Sequence, residues 1–179
     1  MKKRFIFLFL ISLALLIGCS KEETFEEFFP RTLNEMHKGE ENYSYSIVLK
    51  EFNVVHENDA IAIFIDNKNK EETILITYYE KENGNWYWRR TTGTRWDSPI
   101  RWSSMNQVPY IYLGAINDNS ITEVYAGKIP ATIVEVEGDK RIWYAISATK
   151  DVEVKVVKGD GTYEIVEQTQ GEGWIKKEY

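Results

Sequence analysis

The side chains best suited to molecular recognition are tryptophans and arginines concentrated between positions 86 and 102. Indole rings offer flat apolar area for sugar rings, and arginine offers a planar fork for carboxylates or phosphates. Tryptophan, tyrosine and arginine also dominate the hot spots of protein interfaces. Asp97 is the only acid in this stretch. We therefore predict that the stretch 86–102 binds an acidic glycan or a partner protein. The candidate binding residues are Trp86, Trp88, Arg89, Arg90, Arg95, Trp96, Arg101 and Trp102.

The same residues also suit a structural role. In that interpretation the tryptophans belong to the core, and the arginines stack over them or pair with acids elsewhere in the chain. Side chains alternate between the two faces of a strand, which predicts that Trp86, Trp88 and Arg90 share one face. The position of the tryptophans, buried or exposed along one groove, separates the two interpretations.

No sequence motif points to catalysis. His37 and His56 are the only histidines, and their spacing does not match a zinc site. There is no nucleophile elbow or glycine-rich phosphate loop. Acids are scattered through the chain, so a carboxylate pair that hydrolyses glycans stays open. We expect a non-catalytic binding module without cofactor or metal. The alternatives are a surface enzyme acting on wall glycan and a regulatory partner of a membrane protein.

The single cysteine is distinctive for its position. Basic residues at 2–4 precede an apolar run at 5–17, whose only polar member is a serine. This run is shorter than the roughly 20 residues that a spanning helix needs, and it is typical of a secretory signal. The small residue Gly18 separates it from Cys19.

The sequence Leu16-Ile17-Gly18-Cys19 resembles the lipobox of bacterial lipoproteins. The resemblance implies that residues 1–18 are a signal peptide, cut off before Cys19, and that the Cys19 thiol carries a diacylglyceryl group. Two acyl chains are enough for stable anchoring. The protein would then be extracytoplasmic, on the outer face of the plasma membrane of a Gram-positive bacterium. An ordinary secretory signal, or an uncleaved anchor, with an incidental cysteine is the alternative.

Three later segments are similar to pieces of small lipoproteins of Gram-positive bacilli. They are GTRWDSP at 93–99, GAIND at 114–118 and GDKRIWYA at 138–145. This resemblance agrees with a surface location and implies no activity or catalytic residue. The expected partners are therefore the membrane, through lipid on Cys19, and either a membrane protein or cell-wall glycan.

Charge and composition restrict the partners further. Without residues 1–18 the chain has 19 basic and 28 acidic side chains, a formal charge of −9. Such an acidic domain is not suited to nucleic acid. An acylated Cys19 would leave no thiol for a disulfide, so stability must come from packing. The remaining 161 residues are enough for one domain with a sizeable core.

The pattern of residues 43–179 predicts a single β-rich domain. Nine or ten short apolar or alternating runs are separated by turn signals, which is typical of an antiparallel β-sandwich or barrel-like fold. Asn83-Gly84 between two alternating runs predicts a tight hairpin. Residues 60–65 are apolar throughout, which predicts a central strand that is covered on both faces.

Residues 19–42 are expected to form a spacer followed by a short helical segment. Apolar residues recur with helical spacing from Phe25 to Met36, and Pro30 interrupts the pattern. Thr32 and Glu35 match a capping box that would restart a helix, so we expect one or two short helices within 24–38. Their apolar face is expected to pack on the domain; contact with the bilayer is the alternative.

Overall fold

The computed structural model describes residues 22–68, 71–96, 102–166 and 168. The predicted signal peptide, Cys19 and Arg101 lie outside these residues.

The described residues contain one helix and twelve strands. They are α1 (Phe25–Met36), β1 (Ser44–Phe52), β2 (Asp59–Lys68), β3 (Glu71–Glu82), β4 (Asn85–Arg95), β5 (Trp102–Ser104), β6 (Tyr110–Ile116), β7 (Ile121–Ala126), β8 (Ile129–Pro130), β9 (Thr132–Glu135), β10 (Arg141–Ser147), β11 (Val154–Lys158) and β12 (Tyr163–Val166).

The strands form three open antiparallel sheets of four strands each. Sheet A has the order β1-β2-β3-β4, so each strand pairs with the next one in the chain. Sheet B has the order β5-β6-β10-β9, and sheet C has the order β12-β11-β7-β8. The prediction of a mainly β, sandwich-like fold is confirmed, and no closed barrel is formed by the described strands.

The molecule is layered, with α1, sheet A, sheet B and sheet C stacked in that order. Apolar residues alternate along β2 so that Ile61 and Ile63 face sheet B, while Ala62 and Phe64 face α1. Sheet B is likewise covered on both sides, because Tyr144 packs toward sheet A and its neighbours pack toward sheet C. Strands with two buried faces read as continuous apolar runs, as 60–65 does.

Helix α1 is a single helix that contains Pro30. The Thr24 side chain and the Glu27 side chain form a capping box at its start. The predicted capping box of Thr32 with Glu35, and a break at Pro30, are therefore wrong. The proline costs one backbone hydrogen bond, but four buried apolar residues hold the helix on sheet A: Phe25, Phe28, Phe29 and Leu33. These phenylalanines are not available to a bilayer, since each is at most 7% exposed.

Two irregularities in sheet A overturn predictions based on strict alternation. Tyr78 pairs with Arg90 while Tyr79 pairs with Trp88, so Arg89 is an extra residue that forms a bulge. Paired residues point to the same face, and the extra residue reverses the alternation beyond it. The prediction that Arg90 shares a face with Trp86 and Trp88 is therefore wrong, because Arg90 lies on the opposite face of β4. A similar shift at Val48 does the same in β1.

Candidate functional site

The four tryptophans of the predicted recognition segment are distributed over three interfaces. Trp86 and Trp88 are half-buried between α1 and sheet A, and Trp86 lies edge-on to Phe25 with ring centroids 5.0 Å apart. The Trp88 indole N–H donates to the Thr91 hydroxyl at 2.7 Å. These two tryptophans therefore contribute to the packing of the helix.

Trp96 and Trp102 lie elsewhere. Trp96 packs partly buried against the core between sheets A and B, beneath the Lys140 ammonium, which lies 5.0 Å from the ring centroid. Trp102 is 6% exposed in the core between sheets B and C, and its indole N–H donates to the Val166 carbonyl. The structure thus does not bring the four tryptophans together along one groove.

The arginines of the segment are engaged within the domain. Arg89 forms ion pairs with two glutamates of β3, Glu80 and Glu82. Arg90 donates to the Gln107 side chain and to the Val108 carbonyl, which lie in the β5–β6 loop. Arg95 forms an exposed ion pair of 3.2 Å with Glu71. Arg101 lies outside the described residues.

A buried carboxylate instead organises one end of sheet A. The Asp59 side chain is fully buried, and it accepts the backbone N–H groups of Val54, Val55 and His56 at 2.7, 3.0 and 2.9 Å. It thereby fixes residues 53–58, the loop that joins β1 to β2. These three hydrogen bonds satisfy acceptor positions of the buried carboxylate.

Tyr78 connects this carboxylate to ionisable groups nearer the surface. Its hydroxyl lies 3.2 Å from an oxygen of Asp59, 3.2 Å from one of Glu80 and 3.1 Å from His56 Nε2. Burial, followed by the charges of the two acids, raises the Tyr78 pKa well above its ordinary value. Tyr78 therefore keeps its one hydroxyl hydrogen, which lies within hydrogen-bond distance of both carboxylates and can be donated to either.

Two pKa values in this network shift in opposite directions. The His56 ring donates to the Glu57 carbonyl, and this hydrogen bond, with help from Asp59 and Glu80, raises the His56 pKa. Burial alone would raise the Glu80 pKa, but Arg89, with Tyr78 and His56, outweighs it and lowers that pKa. The network favours a charged Glu80 next to a readily protonated His56.

A pocket of about 410 Å³ opens beside this loop. It lies where the edge strands of the three sheets meet, with β1 on one side and β8, β9 and β10 on the other. Its polar lining comes from Glu51, Asn53 and Thr132, and its apolar lining includes Val54 and Ile146. Sites for small ligands commonly have this size and combine apolar walls with a few polar groups.

Glu51 and Tyr144 both line the pocket, and their side chains are hydrogen-bonded. Burial, and then a hydrogen bond to Glu51, raises the pKa of Tyr144 to about 12, while Thr132 opposes the shift. The Tyr144 hydroxyl thus remains protonated and orients the Glu51 carboxylate. The second oxygen of a carboxylate can accept further hydrogen bonds from a ligand.

Sequence reasoning missed this pocket and the Asp59 network. His56 was considered only as a possible zinc ligand, and neither Glu51 nor Tyr144 differs in sequence context from other strand residues. The turn signal at 57–59 was the one available indication, because an aspartate next to a turn often accepts backbone N–H groups. Tyr78 and Arg89 belong to the Asp59 network only because β2 and β4 both pair with β3.

The fold and the pocket define a layered, mainly β domain whose sheet edges converge on a small polar cleft. Comparisons with protein-family models, curated proteins and solved structures each found no match to this chain. No group of three or more potential metal ligands is present among the described residues.

Proposed function

We propose that this protein is an extracytoplasmic lipoprotein, anchored by lipid on Cys19, whose β domain binds a hydroxyl-rich ligand such as cell-wall glycan without transforming it. The pocket beside the β1–β2 loop is the observation that carries the binding proposal. The lipobox at 16–19 is the observation that supports the proposed location. Within the described residues, no helix has the length and apolar character needed to cross a bilayer.

The pocket chemistry suits a sugar ring. The oriented Glu51 carboxylate accepts hydrogen bonds from hydroxyl groups, and the Asn53 amide and Thr132 hydroxyl can supply further polar contacts. Val54 and Ile146 provide apolar area for the carbon faces of the ring. An anionic ligand is not favoured here, because Glu51 lies in the pocket of a domain that is itself acidic.

Binding is favoured over hydrolysis because of where the carboxylates lie. Glycoside hydrolysis uses two carboxyl groups on either side of the substrate. Among the described residues that line the pocket, Glu51 is the only acid. Asp59 and Glu80 are close together, but Asp59 is fully buried and bonded to the loop, so it cannot contact a substrate.

Replacement of Glu51 tests the binding proposal. Titration calorimetry with purified wall-glycan fragments should show that Glu51→Gln weakens binding about tenfold, because a hydrogen bond to a charged group is lost. Glu71→Gln, at an exposed position on the opposite end of sheet A, is the matched control and should bind as the wild type does. Equal affinities for the two variants would exclude this pocket.

Replacement of Cys19 tests the location separately. The Cys19→Ser protein should not be acylated and should be recovered from the medium or soluble fraction, whereas the wild type sediments with membranes. Metabolic labelling with a fatty acid measures acylation directly. A Cys19→Ser protein that is still processed and stays in the membrane fraction would contradict the lipobox interpretation.

A further inference from the structure

The connection between the proposed lipid and the folded domain is very short. Cys19 lies three residues before Glu22, so their Cα atoms are at most about 10 Å apart. Glu22 lies near the β3–β4 turn, where its carboxylate pairs with the Lys81 ammonium at 2.8 Å, and the buried Phe25 fixes the chain three residues later. The anchor is therefore tied to one particular end of sheet A.

That end also carries the β1–β2 loop. Strands of an antiparallel meander alternate in direction, so the β3–β4 turn at Asn83-Gly84 and the loop at 53–58 lie at the same end of sheet A. Ring contacts agree, because Phe25 at the start of α1 contacts both Phe52 and Trp86. The opposite end of the helix is marked by His37, which stacks on Tyr43 at the far end of β1.

Three apolar side chains are exposed at the end near the anchor. Phe52 and Val55 are each 44% exposed, and Tyr87 is 42% exposed. Phe52 ends β1, Val55 lies in the loop that follows, and Tyr87 is close to the β3–β4 turn. We call these three residues the apolar rim. Lys81 and Arg89 pair with three acids beside it, Glu22, Glu80 and Glu82, so these pairs leave one negative charge unbalanced.

We propose that the apolar rim rests on the lipid bilayer, in the boundary between headgroups and acyl chains. Phe52 also lines the pocket of the proposed function, so the pocket then opens at the membrane surface and takes its ligand from the layer next to the bilayer. This inference rests on the proposed lipid anchor. A domain of this size has a radius of gyration of roughly 15 Å, so a connection of about 10 Å cannot lift the tied end away from the surface. Local tethering also favours weak contacts, because it raises the effective concentration of the bilayer around the rim.

A site-specific probe tests this placement. An acylated Cys19 has no free thiol, and the chain has no other cysteine, so a cysteine introduced elsewhere is uniquely reactive. Val55→Cys is labelled with a polarity-sensitive fluorophore in the full lipidated protein. Met36→Cys is the matched control, because Met36 is 53% exposed at the opposite end of α1. Both proteins are reconstituted into vesicles of phosphatidylethanolamine and phosphatidylglycerol.

The probe at Val55 should shift to shorter wavelength on reconstitution and be quenched at least twofold by brominated lipids. The Met36 probe should do neither. If Val55→Cys does not fold, Tyr87→Cys replaces it. Equal responses at both positions, or none at Val55 in protein that floats with the vesicles, would overturn the docking proposal while leaving the anchor intact. Protein that does not float with vesicles would instead contradict the anchor itself.

A spacer separates tethering from other causes of the signal. Ten glycine and serine residues inserted after Ser20 should reduce the quenching of the Val55 probe at least by half, while flotation persists. Undiminished quenching would overturn placement by the tether. A Val55 response that occurs in native membranes but not in protein-free vesicles would replace the bilayer by a membrane-protein partner.

Discussion

Two connections at the same end of sheet A, the β3–β4 turn and the β1–β2 loop, are held in their conformations in different ways. The β3–β4 turn has two residues, Asn83 and Gly84, whose φ angles are 50° and 82°. The β1–β2 loop has six residues, and the buried Asp59 carboxylate holds it through three backbone N–H groups. The first conformation is set by the backbone preferences of two residues. The second depends on a side chain and on its contacts with β3.

The difference has consequences for stability. The conformation of the β3–β4 turn depends mainly on its own two residues, so substitutions elsewhere should affect it little. The loop is coupled through Tyr78 to Glu80 and from there to Arg89, so changes on two other strands also reach it. It also contains ionisable groups, which makes its stability depend on pH. Each of the following experiments affects one connection and spares the other.

Removal of the Asp59 carboxylate should have the largest effect. Asp59→Ala leaves three loop N–H groups without their acceptor, and we expect it to lower the free energy of unfolding by roughly 3 kcal/mol. Urea unfolding measures the change. Asp160→Ala is the matched control, since that exposed carboxylate also accepts from a turn, at Thr162, and should cost less than about 1 kcal/mol. A similar loss in both variants would contradict a special role for Asp59.

A smaller loss is expected in the local turn. Gly84→Ala places a Cβ at φ +82°, and the left-handed conformation costs a residue with a side chain about 1–2 kcal/mol. The new Cβ would lie 3.1 Å from the Glu22 side chain, which is flexible and can move. Gly159→Ala, at a turn glycine without positive φ, should change the unfolding free energy little. Thermal unfolding of both variants distinguishes backbone strain from loss of glycine itself.

The smallest expected effect is a pH dependence of stability that arises from the β1–β2 loop. The pKa of His56 is raised in the folded state, so its stabilising contribution is complete below its unfolded value of about 6.5. That contribution disappears as pH rises through the higher folded pKa. The melting temperature should therefore fall slightly between pH 6 and pH 8.

His56→Gln should remove this fall, and Gly84→Ala should retain it, because the β3–β4 turn contains no group that titrates there. Differential scanning calorimetry across the pH range measures both. An unchanged slope in His56→Gln would show that another group is responsible. The lowered pKa of Glu80 acts in the opposite sense and matters only at acidic pH, where protonation of its carboxylate removes stability.

The sequence was sufficient to predict the features that are encoded locally. Alternation and turn residues predicted the mainly β, sandwich-like class of the fold. The Asn83-Gly84 hairpin and the doubly covered strand at 60–65 are confirmed. Each of these depends on a short run of residues whose preference agrees with its final surroundings.

Features that depend on packing between distant segments were not predictable. The bulge at Arg89 reverses the faces of β4 relative to strict alternation, and it is seen only in the pairing of β4 with β3. Pro30 is tolerated because the burial of α1 compensates for its lost hydrogen bond. The pocket assembles residues from three sheet edges, and no single stretch of sequence contains that information.

The topology of sheet A also bears on how the chain reaches its native state. All pairings of sheet A join consecutive strands within 44–95, whereas sheets B and C divide the strands from 102 to 166 between them. Short loops close at a small entropic cost and long ones close slowly. A chain that emerges N-terminus first can therefore form α1 and sheet A before its later strands exist. Sheet A would then serve as the template on which the other two sheets assemble.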